Sequence, residues 1–219
     1  MERVLIIGAS GGIGAALASA AEARGAEVVR LSRSGDGFDI TDPASVSAHL
    51  GRLEGPFDAL VVATGILAPP GGAPEKALAA VEAEAMAQVF ATNAIGPALV
   101  LGQAKRLLPR ERRAVVGVLS ARVGSIGDNR LGGWHSYRAS KAALNQIIRG
   151  AAIELARTHP QAVVAALHPG TVETPFTEGY PRDKLPPAEA ARRLWAVLEG
   201  LPADESGGFF DHRGARVPW

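Results

Sequence analysis

The chain has 219 residues, 47% of them hydrophobic, enough for one well-cored domain and short for two. Its 23 basic residues face 22 acidic ones and are scattered rather than gathered into a stripe, which argues against nucleic acid as a partner. With no cysteine, disulfides, thiolate nucleophiles and thiolate metal sites are excluded as well.

The N-terminal "MERVLIIGASGGIG" has the outline of a secretory signal, with Arg3 before an apolar run. Glu2 offsets that charge, and glycines interrupt the apolar helix a signal needs. The run at 3–7 is therefore read as a strand. It leads into Gly8, Gly12 and Gly14, followed by a helix at 13–24 closed by Gly25. Glycines at such a junction let the chain turn tightly. They bring bare N–H groups and the positive end of a helix against a diphosphate.

A second strand, 27–31, ends in Ser32 followed by Arg33. A dinucleotide fold reads the adenosine ribose at this place: a carboxylate would accept both hydroxyls, whereas a cation attracts a 2′-phosphate. Arg33 thus favours NADP as cofactor, with NAD as the alternative. A helix at 43–53 opens at Thr41 or Asp42 with Pro43 in its first turn. A third strand spans 57–62, and "APPGGAP" at 68–74 reads as a surface loop. An interrupted helical stretch at 75–108 follows, then a strand at 114–119, a helix at 136–157, a strand at 162–167, and a helix at 187–199 closed by Gly200. Several apolar runs are nearly continuous, the pattern of strands buried on both faces. The alternation implies an α/β fold: a Rossmann-type doubly wound parallel sheet with helices on both faces, one domain over 1–219. No run approaches the roughly 20 apolar residues of a membrane span, so a cytoplasmic protein with no membrane partner is expected.

Tyr137 and Lys141 stand one helical turn apart and share a face. A free phenol has a pKa of about 10, and an adjacent ammonium favours the phenolate and lowers it. The pair therefore suits proton transfer. The five histidines show no metal-ligand spacing, so no metal is expected. His135 is placed to touch a substrate, and Trp134, Phe176 and Tyr180 to line a pocket.

Taken together, "GASGGIG", "DIT" (39–41), "TNAIG" (92–96), "YRASK" (137–141) and "HPGTVETP" (168–175) resemble the short-chain dehydrogenase/reductase family over essentially the whole length. Their order and spacing are more specific than any one of them. The closing "FFDHRGARVPW" is similar to that of the small C-factor-like and carbonyl-reductase-like members. The resemblance implies a catalytic set of Tyr137, Lys141, Asn93 and a serine, with Lys141 also holding the nicotinamide ribose and Asn93 orienting a water. It implies cofactor contacts at Gly8, Ser10, Gly12, Ile13 and Gly14, at Ser32, Arg33, Asp39 and Ile40, and at Ala63, Thr64 and Gly65. Further contacts fall at Pro169, Gly170, Val172 and Thr174, the last on the carboxamide.

Three departures stand out. "VATG" at 62–65 puts Val62 and Ala63 where the family has two asparagines. Only seven residues separate Leu31 from Asp39, too few for a crossover helix of about 10 to 12 residues, so the Asp39 segment should be a short strand or turn. The family's catalytic serine is replaced by Ala121. Ser120 is its nearest substitute, but neighbouring strand residues point to opposite faces and a kink would be needed. Ser125 is the second candidate. The expected function is NADPH-dependent reduction of an aldehyde, ketone or quinone to the alcohol, in an open pocket behind a short 174–187 lid. The alternative is an NADP(H)-binding signalling or regulatory protein of C-factor type with little or no turnover. Family habit adds a homodimer or homotetramer, although Leu144, Ile148 and Leu155 could equally face the chain's own sheet.

Overall fold

Six short apolar runs pair into a single parallel sheet, in a computed structural model that describes residues 1–181 and 183–219. The strands are β1 (Arg3–Ile7), β2 (Glu27–Leu31), β3 (Ala59–Val62), β4 (Ala114–Leu119), β5 (Ala162–His168) and β6 (Gly208–Asp211). Their order is β2-β1-β3-β4-β5-β6, with every neighbouring pair parallel. The chain leaves β1 towards β2 on one side and returns to β3 on the other, so the order reverses between β1 and β3. Ligands bind open α/β sheets at the strand ends beside such a reversal.

Why the runs are continuous follows from the two layers. Along β1, Leu5 and Ile7 face one core, while Val4 and Ile6 face the other. The first core lies under α3 (Pro43–Gly51), α5 (Gly96–Leu101), α6 (Ala104–Leu107) and α7 (His135–Ala156). The second lies under α1 (Gly12–Glu22) and α8 (Pro187–Gly200). There the fully buried Trp195 donates its Nε1–H to Leu17 O at 3.0 Å, pinning α8 to α1. Leu144, Ile148 and Leu155 are buried in the first core, so they face the chain's own sheet.

Several expectations change in detail. The strand expected at 57–62 starts at Ala59. The Asp39 segment is a turn, and before it lies a one-turn helix, α2 (Arg33–Asp36). Ser32 caps α2 by accepting Gly35 N–H at 3.0 Å, and Gly37 ends it at φ 72°. Asp42, rather than Thr41, caps α3. The 75–108 stretch breaks into a 3₁₀ turn at Leu78–Ala80, α4 (Ala83–Phe90), a π-helical turn at Ala91–Ile95, then α5 and α6. The strand β6 was not foreseen. Among the described residues no helix is long and apolar enough to cross a membrane.

Candidate active site

The glycine turn is shaped by close approach. Gly8 has φ 85°, a left-handed conformation that a side chain strains, and an added Cβ would meet the Ala63 backbone and Thr64 Cγ2 at 3.0 Å. A Cβ on Gly14 would lie 2.1 Å from Gly8 O, and one on Gly12 would lie 2.6 Å from Thr174 Cγ2. The α1 N-terminus therefore presses on the end of β1 and on the segment after β5. Its N-cap, Gly11, offers no side-chain acceptor, and the first turn carries no acidic residue. The N–H groups and the helix's positive end remain available to an anionic ligand.

A cavity of about 970 Å³ opens from this turn across the strand ends. Its wall includes Ser10, Gly12, Ile13, Ala63, Thr64, Gly65, Ser120, Tyr137, Lys141, Pro169, Gly170, Val172 and Thr174. Thr64 Oγ1 is buried there without a hydrogen-bond partner among the described residues, a group suited to a bound polar ligand. Gly8 and Gly14 lie behind the wall as packing elements. Trp134, Phe176 and Tyr180 line the far part, whereas His135 does not. Of the 174–187 lid, Arg182 lies outside the described residues.

Tyr137 and Lys141 are buried on one face of α7. Lys141 Nζ donates to Leu119 O at 2.9 Å and would sit 3.4 Å from a Cβ on Gly65, as would Asn93 Oδ1. Asn93 is fully buried in the π-helical turn. It accepts Ile66 N–H at 2.8 Å and donates to Ile66 O at 2.8 Å and to Ser140 Oγ at 3.0 Å. Ser140 in turn donates to Tyr137 O at 2.8 Å. A π-turn inside a helix often marks a functional position, and here it carries the side chain that joins the β3 loop to α7.

Burial moves both titrating groups, and against the expectation for the phenol. Desolvation pulls Lys141 down to about 7, since a dry site penalises the ammonium. Desolvation also pushes the Tyr137 phenol above its ordinary value, and the neighbouring Tyr180 phenol adds to the rise. The lowering expected from Lys141 is not among the causes that set the phenol.

The α7 N-terminus is held by Glu75. Trp134 adopts φ 51° and caps α7 in the left-handed region, strain that needs support from its surroundings. Its N–H donates to Glu75 O, and the Glu75 carboxylate accepts Ser136 N–H at 3.2 Å and the Ser136 hydroxyl. Burial raises the Glu75 pKa, but the hydrogen bonds from Ser136 outweigh it and hold the group below its ordinary value.

The candidate serines point elsewhere. Ser120 Oγ donates to Asn145 Oδ1 at 2.6 Å, and Asn145 lies eight residues after Tyr137, roughly 12 Å along the helix. Ser120 thus lines the cavity wall beside Tyr137 and Lys141, with its hydroxyl proton given to α7. Ser125 Oγ accepts Asp128 N–H at 3.0 Å outside the cavity wall.

The second-strand group lies apart from Tyr137. Ser32 is spent on its cap, and Arg33 is exposed at the start of α2. Asp39 accepts from Thr41 N at 2.8 Å and from Thr41 Oγ1 at 2.7 Å. Those hydrogen bonds from Thr41, against the opposing effect of burial and with help from the Arg33 charge, lower its pKa. Ile40 packs on Gly96, where an added Cβ would lie 2.7 Å from Ile40 O. Of this group, none forms part of the cavity wall. Ser140, Asn145 and Glu75 were missed. The first two carried a signal, as polar residues on the apolar face of a long helix; Glu75 carried none, being distant in sequence.

Comparison with known proteins adds relatives. Residues 8–196 match a family model described as enoyl-(acyl carrier protein) reductase. The chain is 38% identical to the C-signal protein of Myxococcus xanthus over 147 residues, covering 65% of this chain and 84% of that one. A Burkholderia multivorans structure assigned to the short-chain dehydrogenase/reductases, with bound NADP, superposes with a TM-score of 0.85 at 30% identity, covering 100% of this chain and 99% of that one. An NADPH-bound carbonyl reductase from chicken fatty liver superposes with a TM-score of 0.85 at 26% identity and the same coverage.

Proposed function

The chain belongs to the short-chain dehydrogenase/reductase family, and from that premise we propose that it reduces an aldehyde, ketone or quinone to the alcohol with NADPH. The observation that carries the reading is the burial of Tyr137 and Lys141 on one wall of a cavity that begins at the uncapped α1 N-terminus. The cavity suits the cofactor. The glycine turn would hold its diphosphate, Thr64 with its unpartnered hydroxyl would meet another polar group, and Arg33 would meet the 2′-phosphate. Pro169, Gly170, Val172 and Thr174 would frame the nicotinamide end. Two of the solved relatives, at 30% and 26% identity, carry NADP or NADPH, which supports that choice over NAD.

A bound nicotinamide supplies the hydride for the carbonyl carbon. Tyr137 then has one task, to hold its proton at Oη and give it to the carbonyl oxygen as general acid. A raised phenol pKa keeps that proton in place near neutrality. Lys141, with Nζ fixed on Leu119 O and a pKa near 7, would exchange protons with its surroundings and return one to the phenol. Asn93 fixes the β3 loop beside Lys141 through its two bonds to Ile66.

One observation favours a second reading. Among the described residues no serine is hydrogen-bonded to the phenol, as Ser120 donates to Asn145 and Ser125 lies outside the cavity wall, and the C-signal relative is 38% identical over 65% of this chain. An NADP(H)-binding regulator with little turnover would also fit. A panel of aldehydes, diketones and quinones, followed by NADPH absorbance, separates the two. Oxidation of NADPH with at least one carbonyl class is expected. Cofactor binding with no turnover across the panel would favour the regulator.

A further inference from the structure

We propose that Tyr180 donates the second hydrogen bond to the substrate's carbonyl oxygen, in place of the side chain that Ala121 lacks; this rests on the reductase reading above. An oxygen passing from carbonyl to alkoxide presents more than one lone pair, and donors aimed at it count most in a dry site. Tyr137 satisfies one of them.

The hydroxyls near the strand ends are largely committed. Ser120 donates to Asn145 and Ser140 to Tyr137 O, while Ser125 accepts Asp128 N–H outside the cavity wall. Thr174 and Thr177 both donate to Val172 O. Thr64 Oγ1 is free among the described residues, but its methyl group abuts Gly8 at the glycine-turn end.

Tyr180 differs. Its Oη is buried, yet no described group hydrogen-bonds it, and a buried hydroxyl left unpaired marks a place for a ligand. Its ring leans on Trp134 with centroids 5.7 Å apart, and Trp134 meets Tyr137 edge-on at 6.3 Å. Both tyrosines line the same cavity. The Tyr180 backbone is set by its N–H donating to Thr177 O at 3.1 Å, after the 3₁₀ turn at Pro175–Thr177. Burial raises its pKa, so it remains a neutral donor at working pH. It keeps its proton throughout; the one transferred comes from Tyr137.

Tyr180→Phe keeps the ring on Trp134 and removes the donor. Turnover of a ketone should fall about 100-fold, with NADPH affinity unchanged. Adding Ala121→Ser to Tyr180→Phe should restore at least a tenth of the wild-type rate, because a hydroxyl returns to the oxygen from the strand end. Full turnover in Tyr180→Phe would overturn the proposal, and so would a loss that Ala121→Ser leaves unrepaired. A second readout needs no turnover: the infrared carbonyl band of acetophenone bound beside oxidised NADP. It should move to higher wavenumber in Tyr180→Phe, as a hydrogen bond is lost. An unmoved band, or no bound ketone in the wild type, overturns it. If no carbonyl is reduced by any variant, the reductase reading fails while the band still reports on Tyr180.

Discussion

At Lys141 the cost of burial is a titration with a definite sign. Its pKa falls from 10.5 to about 7, so between those values the unfolded chain binds a proton that the native chain does not. Stability must then rise with pH across that interval. The destabilisation is full below pH 7 and is relieved as pH climbs towards the unfolded value. Lys141→Met removes it. Urea unfolding at pH 7, 8 and 9 should show the wild type gaining on the variant at each step; parallel profiles would contradict the assignment. Arg33 makes a second prediction. If it meets the 2′-phosphate, Arg33→Ala loses a charge-assisted contact, roughly 10- to 150-fold in NADPH affinity, with NADH binding nearly unchanged. Equal losses for the two cofactors, in paired dissociation constants, would count against it. At this scale the sequence was readable where spacing alone sets geometry, as for Tyr137 and Lys141. It was unreadable where a hydroxyl's direction matters. The spacing that suggested Ser120 holds, but its Oγ turns to Asn145, a partner 25 residues on that no local pattern names.

Among the elements, α7 depends most on a distant partner. Glu75 receives both the N–H and the hydroxyl of Ser136 at the helix's first turn, an acidic cap where the helix end is positive. Glu75→Ala should cost about 1 kcal/mol of stability and lower turnover, since Tyr137 lies in that same turn. Because the Glu75 pKa is depressed, its contribution is present above the ordinary carboxylate range and is lost as pH falls through the folded value. Melting curves followed downwards from pH 7 should therefore separate wild type from variant at pH 7 and bring them together only once the pH is well below the ordinary carboxylate range. A difference that persists there would mean packing rather than charge. Glycine packing gives a harder limit. A Cβ on Gly14 would stand 2.1 Å from Gly8 O, so Gly14→Ala should destabilise by roughly 1–3 kcal/mol or more and displace the turn from any diphosphate. Calorimetry with NADPH titration reads both effects. The long, periodic helices and the apolar strands were legible because burial on two faces leaves a continuous pattern. Two small elements were not. β6 has four residues and pairs with one strand, β5, and α2 is a single turn made by a serine cap and Gly37.

For the whole molecule, the alternation implies the parallel sheet, while its order β2-β1-β3-β4-β5-β6 comes from the structure. The short loop at 32–38 leaves no room for a further crossover, and β2 ends the sheet with a half-exposed strand. Assembly is a separate matter. Leu144, Ile148 and Leu155 are spent on the core, while Ile95 and Ile153 remain 53% and 49% exposed on the helical layer. A homodimer or homotetramer through that layer predicts twice or four times the chain mass by light scattering at micromolar concentration, and a monomer mass would end the idea. The central claim, though, is proton donation to a carbonyl by one phenol in an NADPH site. Tyr137→Phe tests it most directly, because the ring and its contacts with Trp134 and Phe176 survive while the hydroxyl goes. Steady-state ketone reduction and the NADPH dissociation constant, measured on the same preparation, should part company: turnover collapses and cofactor binding holds. Undiminished turnover in Tyr137→Phe would contradict the mechanism.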